Sequence, residues 1–352
     1  MSSPAEMLLN KEINGWKVVS EMGSYQGQSG GNFSSGYIVE KDGVRAFLKA
    51  MDLERAFIRG ALAVQREISQ YLFERQVLDF CGDKRLSGVI RLYDAGEINL
   101  QNTGNPANII YFLIFELADG DIRRELTVGG FKSNSWRLRV LHQSAVALVQ
   151  LHNAEIAHQD LKPSNVLSFE ADKRFKVGDL GRCTSSKFKA PTDVFDFPGD
   201  RSYAPPEYHY NAVPVLHMDK RLGSDAYLLG SLISFLFSNV GALIATLQKL
   251  PDEYRPDAWR GEYVDALPYL EKSHTEATLA LKKLFPPEIS EELANAYFNL
   301  SHPNPLFRGH PDARRQTGRP LGLDRYRSLF DRLTHKVNLQ ERIEEKKKAS
   351  NA

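Results

Sequence analysis

A carboxylate, an ammonium group and an amide oxygen occur within six residues of the sequence, at Asp160, Lys162 and Asn165. Transfer of a phosphoryl group to a hydroxyl requires a carboxylate near the attacking oxygen, a cation near the moving phosphate and an oxygen ligand for Mg²⁺. A short loop can point all three side chains into one cleft. The segment His158–Asn165 therefore predicts a phosphotransfer site, and the alternative is a polar surface loop.

A further acidic residue follows Asp160 by nineteen positions, in the triplet Asp179-Leu180-Gly181. A short strand-like run, Arg174–Val177, precedes this triplet. An acidic residue at the end of a strand, followed by a flexible glycine, can hold Mg²⁺ between phosphates. Isolated triplets of this kind are usually turns, so the prediction of a metal ligand depends on order and spacing.

Lys49 is a charged residue in the mostly apolar, strand-like run Val44–Met51. Its side chain could extend to solvent, or it could face a cleft and bind phosphates if a carboxylate held it. The predicted partner is Glu67, eighteen residues later, on an amphipathic helix that apolar spacing predicts over Leu53–Asp79. Glu54 is the alternative partner.

The stretch Gly23–Gly36, before the lysine strand, is rich in Gly, Ser and Asn. Glycines let backbone N–H groups approach phosphates closely. Alone this is a weak signal, because loops commonly contain glycine.

The predicted elements change character part-way along the chain. Up to about Ala118 the pattern is β-rich with one long helix, and the Asp42-Gly43 pair predicts a hairpin. After Asp121 apolar residues recur mostly at helical spacing. The stretch Leu323–Lys348 predicts a final amphipathic helix, with its charged end a solvated face.

The composition of the 352 residues excludes several classes of protein. The net charge of +1 gives no strong field for nucleic acid or membrane. No apolar stretch approaches the roughly 20 residues of a membrane span, and the first residues do not form a signal peptide. Two cysteines do not suggest a disulfide scaffold. We therefore expect a cytoplasmic protein without nucleic-acid or membrane partners, and the oligomeric state stays open.

Taken in order, these features resemble the protein kinase superfamily over about Trp16 to Arg308. The segment Tyr203–Glu207 resembles the Ala-Pro-Glu motif that closes the activation region. Asp225–Gly230 resembles the start of the buried helix whose aspartate braces the catalytic loop. Asn304–Arg308 resembles the late motif whose arginine pairs with the Ala-Pro-Glu glutamate. The chain looks most like the stand-alone bacterial serine/threonine kinases of eukaryotic type.

The resemblance implies an α+β, two-lobed protein-kinase-like fold. Residues 1–118 would form a small β-rich lobe with one long helix, 119–322 a larger and mainly helical lobe, and 323–352 a helical tail. ATP and Mg²⁺ would be the cofactors, and a protein would be the substrate.

The resemblance also implies a role for each matching residue. Asp160 and Lys162 would be catalytic, and Asn165 and Asp179 would bind Mg²⁺. In the hinge, Glu116-Leu117-Ala118, backbone groups would bind adenine, and Asp121 would contact the ribose. The nucleotide-binding residues would be Gly30, Gly31, Phe33, Lys49, Glu67, Glu116, Ala118 and Asp121.

The chain departs from the family pattern at four places. The glycine loop is irregular and long, and Leu180 replaces the usual phenylalanine. Gln159 replaces the arginine that normally binds a phosphate of the activation loop. Asp200 replaces a threonine that helps hold the catalytic aspartate and lysine, which puts substrate positioning in question.

Three functions are compatible with these residues. The first is an active protein kinase, and Lys162 favours serine/threonine over tyrosine specificity. The second is a kinase-fold enzyme that phosphorylates a small molecule, although such enzymes usually lack a pair like Glu207 and Arg308. The third is a pseudokinase scaffold, which the irregular glycine loop and Asp200 favour.

Overall fold

The chain folds into a β-sheet lobe and a mainly helical lobe that face each other across a cleft. The computed structural model describes residues 3–22, 34–51, 53–100, 108–128, 130, 132–314, 316, 318 and 321–350. The strands are β1 (Glu12–Ile13), β2 (Trp16–Glu21), β3 (Ser34–Lys41), β4 (Val44–Met51), β5 (Leu92–Asn99), β6 (Ile109–Glu116), β7 (Gly120–Asp121), β8 (Ile156–Ala157), β9 (Val166–Phe169), β10 (Arg174–Val177) and β11 (Thr184–Ser185). The helices are α1 (Glu54–Arg59), α2 (Ala61–Asp83), α3 (Ile122–Thr127), α4 (Asn134–Asn153), α5 (Pro206–His209), α6 (Gly223–Ser238), α7 (Ala242–Leu247), α8 (Tyr263–Lys282), α9 (Ser290–Leu300) and α10 (Leu323–Ser350).

The small lobe is built on a six-stranded antiparallel sheet with the strand order β1-β2-β3-β4-β6-β5. In β4, Ala46, Leu48 and Ala50 are buried on one face of this sheet. Phe47 and Lys49 alternate with them and border the cleft. The two-residue period of a strand thus determines that Lys49 faces the cleft.

Two helices replace the single helix that was predicted over Leu53–Asp79. The first ends at Arg59 and the second begins at Ala61. Gly60 joins them with φ 99°, a backbone conformation that residues with a side chain rarely adopt. The break therefore occurs at this glycine, and α2 continues past the predicted end to Asp83.

The large lobe is mainly helical, and α6 lies at its centre. This helix is apolar around most of its circumference, which is typical of a helix buried on all sides. Its core residues include Leu228, Leu229, Leu232 and Ile233. None of the helices formed by the described residues is both long and apolar enough to span a membrane.

The predicted catalytic segment lies between short strand pairs of the large lobe. Strand β8 pairs with β11, and β9 pairs with both β7 and β10. The loop from His158 to Asn165 connects β8 to β9. Asp179 follows β10 directly after Gly178, whose N–H donates to the Asn165 carbonyl at 2.9 Å. The hairpin of β9 and β10 therefore brings the two predicted metal ligands together.

The last helix, α10, lies along α4. The Glu341 carboxylate accepts hydrogen bonds from the N–H groups of Asn134 and Ser135, at 3.0 and 3.3 Å, at the beginning of α4. The charged end of α10 is therefore not entirely a solvated face. The buried side of α10 carries Tyr326, Phe330, Leu333 and Val337.

The division of the chain at residues 118 and 322 stays a prediction.

Candidate active site

A cavity of about 400 Å³ opens between the two lobes. Strands β3, β4 and β6 border it on one side, and the segments around residues 164–167 and 178–182 border it on the other. Most of the predicted nucleotide and metal residues converge here, whereas Gly30, Gly31 and Phe33 lie outside the described residues. The predicted residues that border the cavity are Lys49, Glu67, Glu116, Ala118, Asp121, Asn165 and Asp179.

Lys49 is held by Glu74, so the predicted Lys49–Glu67 pair was wrong. Lys49 Nζ lies 3.0 Å from Glu74 Oε2, whereas Glu67 contacts Arg59 at 3.4 Å. The Lys49 side chain is 32% exposed and Glu74 only 7%. Burial disfavours the charged lysine, but the Glu74 and Asp179 carboxylates outweigh burial and raise the pKa of Lys49. Lys49 therefore presents a positive charge to the cleft.

Helical periodicity alone cannot distinguish the two glutamates. Glu67 and Glu74 are seven residues apart, which is about two helical turns, so they lie on the same face of α2. The distinguishing signal is burial. Tyr71, Phe73 and Val77 make the second half of α2 part of the core, where a glutamate requires a partner.

Asp160 makes four polar contacts with neighbouring residues. Its Oδ1 accepts from the Asp200 N–H at 2.8 Å, and its Oδ2 accepts from Asn165 Nδ2 at 3.0 Å. Lys162 Nζ lies 3.2 Å from the same Oδ2. The Asp160 N–H donates to His158 Nδ1 at 3.2 Å. Burial raises the pKa of Asp160, and the Lys162 charge offsets this only in part.

The backbone of this loop is braced by Asp225, the first residue of the segment that resembles the buried kinase helix. The fully buried Asp225 carboxylate accepts from the N–H groups of His158 and Gln159, both at 2.7 Å. Its Oδ2 also lies 2.8 Å from His152 Nε2. The contacts fix the backbone of the loop directly before Asp160. Asp160 itself is not among the residues that border the cavity, and its link to the cavity is the hydrogen bond from Asn165.

Asn165 and Asp179 offer two oxygen donors at the floor of the cavity. Asn165 Nδ2 also donates to the Asp160 carbonyl at 2.8 Å, which orients the amide oxygen of Asn165. Asp179 has a left-handed backbone (φ 58°) and borders the cavity. Among the described residues, none forms a hydrogen bond or ion pair with its carboxylate, and no group of three His, Cys, Asp or Glu could hold a metal. Two donors fit Mg²⁺, which takes few protein ligands and keeps phosphate and water ligands.

The sequence model of the protein kinase domain matches residues 43–238, which is more than half of the chain. The chain belongs to the protein kinase superfamily. Mitogen-activated protein kinase 17 of Arabidopsis thaliana is 32% identical over 113 residues, which cover 30% of this chain and 23% of that protein. Mitogen-activated protein kinase 19 of the same plant is 33% identical, with 27% and 16% covered. Mitogen-activated protein kinase 11 of Oryza sativa subsp. japonica is 32% identical, with 27% and 17% covered.

The chain thus spans less than a quarter of the length of these curated relatives. Membership of the superfamily and the two-lobed α+β fold confirm the predictions made from the motifs. The likeness to bacterial kinases in particular stays a prediction.

In this kinase domain, Asp200 contacts both predicted catalytic residues. Its N–H donates to Asp160, and its carboxylate lies 3.2 Å from Lys162 Nζ. Partial burial favours the neutral acid, but hydrogen bonds from Ser202 and the Lys162 charge outweigh it and lower the pKa of Asp200. Asp200 therefore makes the connection that the resemblance assigns to threonine, with an added negative charge, and Lys162 lies between two carboxylates.

Sequence reasoning missed Arg221, a buried residue that contacts the activation segment, Arg182–Arg201. Arg221 Nη1 donates to the Asp196 carbonyl at 2.9 Å, and Nη2 donates to the Phe195 carbonyl at 3.1 Å. Gln159 Nε2 donates to the Arg221 carbonyl at 2.7 Å. An arginine distant in sequence thus holds the segment through its backbone, without a phosphate. No motif around Arg221 signals this contact.

The hinge leaves backbone groups available to a ligand. The Glu116 N–H donates to the Arg91 carbonyl at 3.0 Å, and the Glu116 carboxylate pairs with Lys176 at 2.5 Å. The backbone groups of Leu117 and Ala118 form no hydrogen bond with the backbone of another described residue. The Glu116 N–H is thus already used, and the adenine contact of Glu116 and Ala118 stays a prediction.

Asp121 lies at the far end of the hinge and has a structural contact of its own. Its Oδ1 accepts from the Arg124 N–H at 3.0 Å and caps α3. Burial raises the pKa of this carboxyl, and the backbone donors of α3 oppose the shift. The side chain borders the cavity, and the ribose contact stays a prediction.

Proposed function

We propose that this chain is an ATP- and Mg²⁺-dependent serine/threonine protein kinase. The observation that carries the proposal is that a paired lysine and two oxygen donors border one cavity, with a buried aspartate in contact with one of the donors. Lys49, Asn165 and Asp179 border the cavity, and the buried Asp160 accepts a hydrogen bond from Asn165 at 3.0 Å. A cytoplasmic location and the absence of nucleic-acid partners remain predictions.

Each side chain has a distinct role in the proposal. Lys49 binds nucleotide phosphates, and Asn165 and Asp179 hold Mg²⁺, which when bound neutralises charge on the transferred phosphoryl group. Asp160 orients the substrate hydroxyl and accepts its proton, a role that its raised pKa supports. Lys162 stabilises the charge of the transferred group.

Serine/threonine specificity is the finer part of the proposal. Lys162 in the catalytic loop supports it, because tyrosine kinases of the superfamily usually differ there. The Glu207–Arg308 pair supports a protein substrate over a small molecule. A pseudokinase is the second candidate, and the specific observation in its favour is that Lys162 is already engaged by Asp160 and Asp200 at 3.2 Å each.

The deciding experiment is incubation of the full chain with γ-labelled ATP and generic protein substrates, with Mg²⁺ or with EDTA, followed by analysis of the labelled amino acids. Label on serine or threonine that requires Mg²⁺ would support the proposal. Binding of ATP without transfer would support the pseudokinase, and label only on tyrosine would overturn the stated specificity.

Glu74→Gln should lower phosphotransfer about 10- to 100-fold, whereas Glu67→Gln should lower it less than about threefold. The first change removes the charged partner of Lys49, and a hydrogen bond to a charged group contributes roughly 1.5–3 kcal/mol. The second removes the same charge from the same helix face but leaves Lys49 paired. Initial rates over a range of ATP concentrations would measure both. Equal losses would restore Glu67 as a partner of Lys49.

The activation segment, Arg182–Arg201, offers four candidate phosphorylation sites, which are Thr184, Ser185, Ser186 and Thr192. Removing the hydroxyl of all four should lower phosphotransfer less than about threefold. Thr184 and Thr192 are each only 2% exposed, and Arg221 already holds the segment through backbone carbonyls. A new phosphate would need a cationic partner, and Gln159 is neutral. The variant carries Ser185→Ala and Ser186→Ala with valine at both threonines.

Transfer to an external substrate would be measured for this variant and for phosphatase-treated wild type. The two should agree, because neither carries phosphate on the segment. If the rate of transfer for both proteins were more than about tenfold below that of untreated wild type, equivalent to roughly 1.4 kcal/mol of barrier, phosphorylation of the segment would be required.

A further inference from the structure

The two lysines of the proposed site, Lys49 and Lys162, are both engaged by carboxylates. Lys49 is paired with Glu74 at 3.0 Å. Lys162 lies 3.2 Å from Asp160 and 3.2 Å from Asp200. A nucleoside triphosphate stays anionic after it binds one Mg²⁺, so it requires positive charge from the protein. Lysines that are paired with carboxylates provide less positive charge to the nucleotide than unpaired lysines would.

Arg182 is an additional cation close in the chain to the predicted metal ligand Asp179. It closes the short 3-10 turn Leu180–Arg182 directly after Asp179, and it borders the cavity together with Lys49. The residue is exposed, and its side chain forms no hydrogen bond or ion pair with another described residue. Its guanidinium is thus available to a ligand.

Lys49 and Arg182 border the same cavity, so one anionic ligand there faces both cations. Burial and the Arg182 charge lower the pKa of Lys49, whereas Glu74 and Asp179 raise it and prevail. Two cations that repel each other across a cleft gain from an anion between them. An arginine suits phosphate especially, because its planar guanidinium can donate two parallel hydrogen bonds to phosphate oxygens.

We propose that Arg182 binds the phosphate chain of the nucleotide beyond the α-phosphate and supplements Lys49 there. The proposal rests on the nucleotide site proposed above and adds to it a residue that the family resemblance does not assign. The competing role for Arg182 is to bind a phosphate on the activation segment, as the family arginine replaced by Gln159 does. The two roles differ in which ligand is lost when the arginine is removed.

The test is calorimetric titration of the full chain, after phosphatase treatment, with MgATP, MgADP, AMP and adenosine. Arg182→Ala should weaken MgATP binding about 10- to 100-fold, the loss expected for one charge-assisted contact. AMP and adenosine should change less than about twofold, because they lack the phosphates concerned. Arg182→Lys should recover part of the loss for MgATP, since it keeps the charge but not the planar donors.

Arg66→Ala is the matched control. Arg66 is exposed on α2 and does not border the cavity, so its removal takes away the same unit of charge outside the site. It should change MgATP binding less than about twofold. An equal loss for Arg66→Ala would show that only the net charge matters and would overturn the proposal.

The remaining outcomes separate Arg182 from the proposed function. If Arg182→Ala bound MgATP as tightly as wild type does, the role of Arg182 would be overturned and the nucleotide site would be left intact. Equal weakening for all four ligands would indicate a structural defect and would also overturn it. Wild type that binds none of the four would overturn both proposals. A loss of activity found only before phosphatase treatment, with binding unchanged, would assign Arg182 to the segment phosphate instead.

Discussion

Asp160→Ala should lower phosphotransfer about a thousandfold or more while the dissociation constant for MgATP changes less than about threefold. A positioned general base contributes roughly 10²–10⁴ in rate, and Asp160 is the carboxylate that the loop contacts fix. Nucleotide binding should persist, because Lys49, Asn165 and Asp179 border the cavity and none of them is altered. Single-turnover rates with labelled ATP and separate titrations would measure the two quantities.

The structure gives reason to expect that the Asp160 variant folds. Lys162 keeps its contact with Asp200 at 3.2 Å, and Asn165 keeps its hydrogen bond to the backbone carbonyl of residue 160 at 2.8 Å. Asp83→Ala, at the exposed end of α2, is the control for loss of one carboxylate. If Asp160→Ala retained more than about a tenth of the wild-type rate, Asp160 would not be the residue that receives the hydroxyl proton.

Glu207→Gln should lower the free energy of unfolding by about 3–5 kcal/mol, the usual cost of leaving one partner of a buried ion pair uncompensated. Glu207 and Arg308 pair through two contacts, at 2.6 and 2.5 Å, and both side chains are 0% exposed. The pairing is the one that the resemblance implied. Arg308 Nε also donates to the His302 carbonyl at 2.8 Å, so the guanidinium cannot turn toward solvent. Chemical denaturation at neutral pH would measure the loss.

A double-mutant cycle sharpens this test. Glu207→Gln combined with Arg308→Met should be less destabilised than the sum of the two single variants, because neither charge is then left buried alone. Arg332→Gln is the surface control. It removes the contact with Glu292 from a site where Arg332 is 58% exposed, and an exposed pair contributes less than about 1 kcal/mol. Additive losses at Glu207 and Arg308 would show that the two charges are not coupled.

The sequence determined the parts of the site that depend on short-range geometry. Asp160, Lys162 and Asn165 occupy one short loop, so the local backbone suffices to bring their side chains together, as the contacts at 3.0 and 3.2 Å show. The position of Lys49 on the cleft face follows from the alternation of β4. The order of the motifs also sufficed for the fold, because these segments recur in one superfamily.

The predictions of the helix bounds and of the partner of Lys49 were wrong for related reasons. A pattern of apolar residues continues through Gly60, and only the backbone conformation at that residue ends α1. Glu67 and Glu74 satisfy the same helical period. The choice between them depends on how far α2 extends into the core, which is a property of the packed lobe.

Only the tertiary structure decided the contacts that join distant segments. Arg221 reaches the carbonyls of residues 195 and 196, and the Asp200 carboxylate reaches Lys162, 38 residues earlier in the chain. Arg182 likewise becomes a candidate phosphate ligand only because β4 and the segment that follows β10 border one cavity. Local periodicity carries no information on such contacts, since they form between side chains whose relative position is set by the packing of whole elements and not by their spacing along the chain.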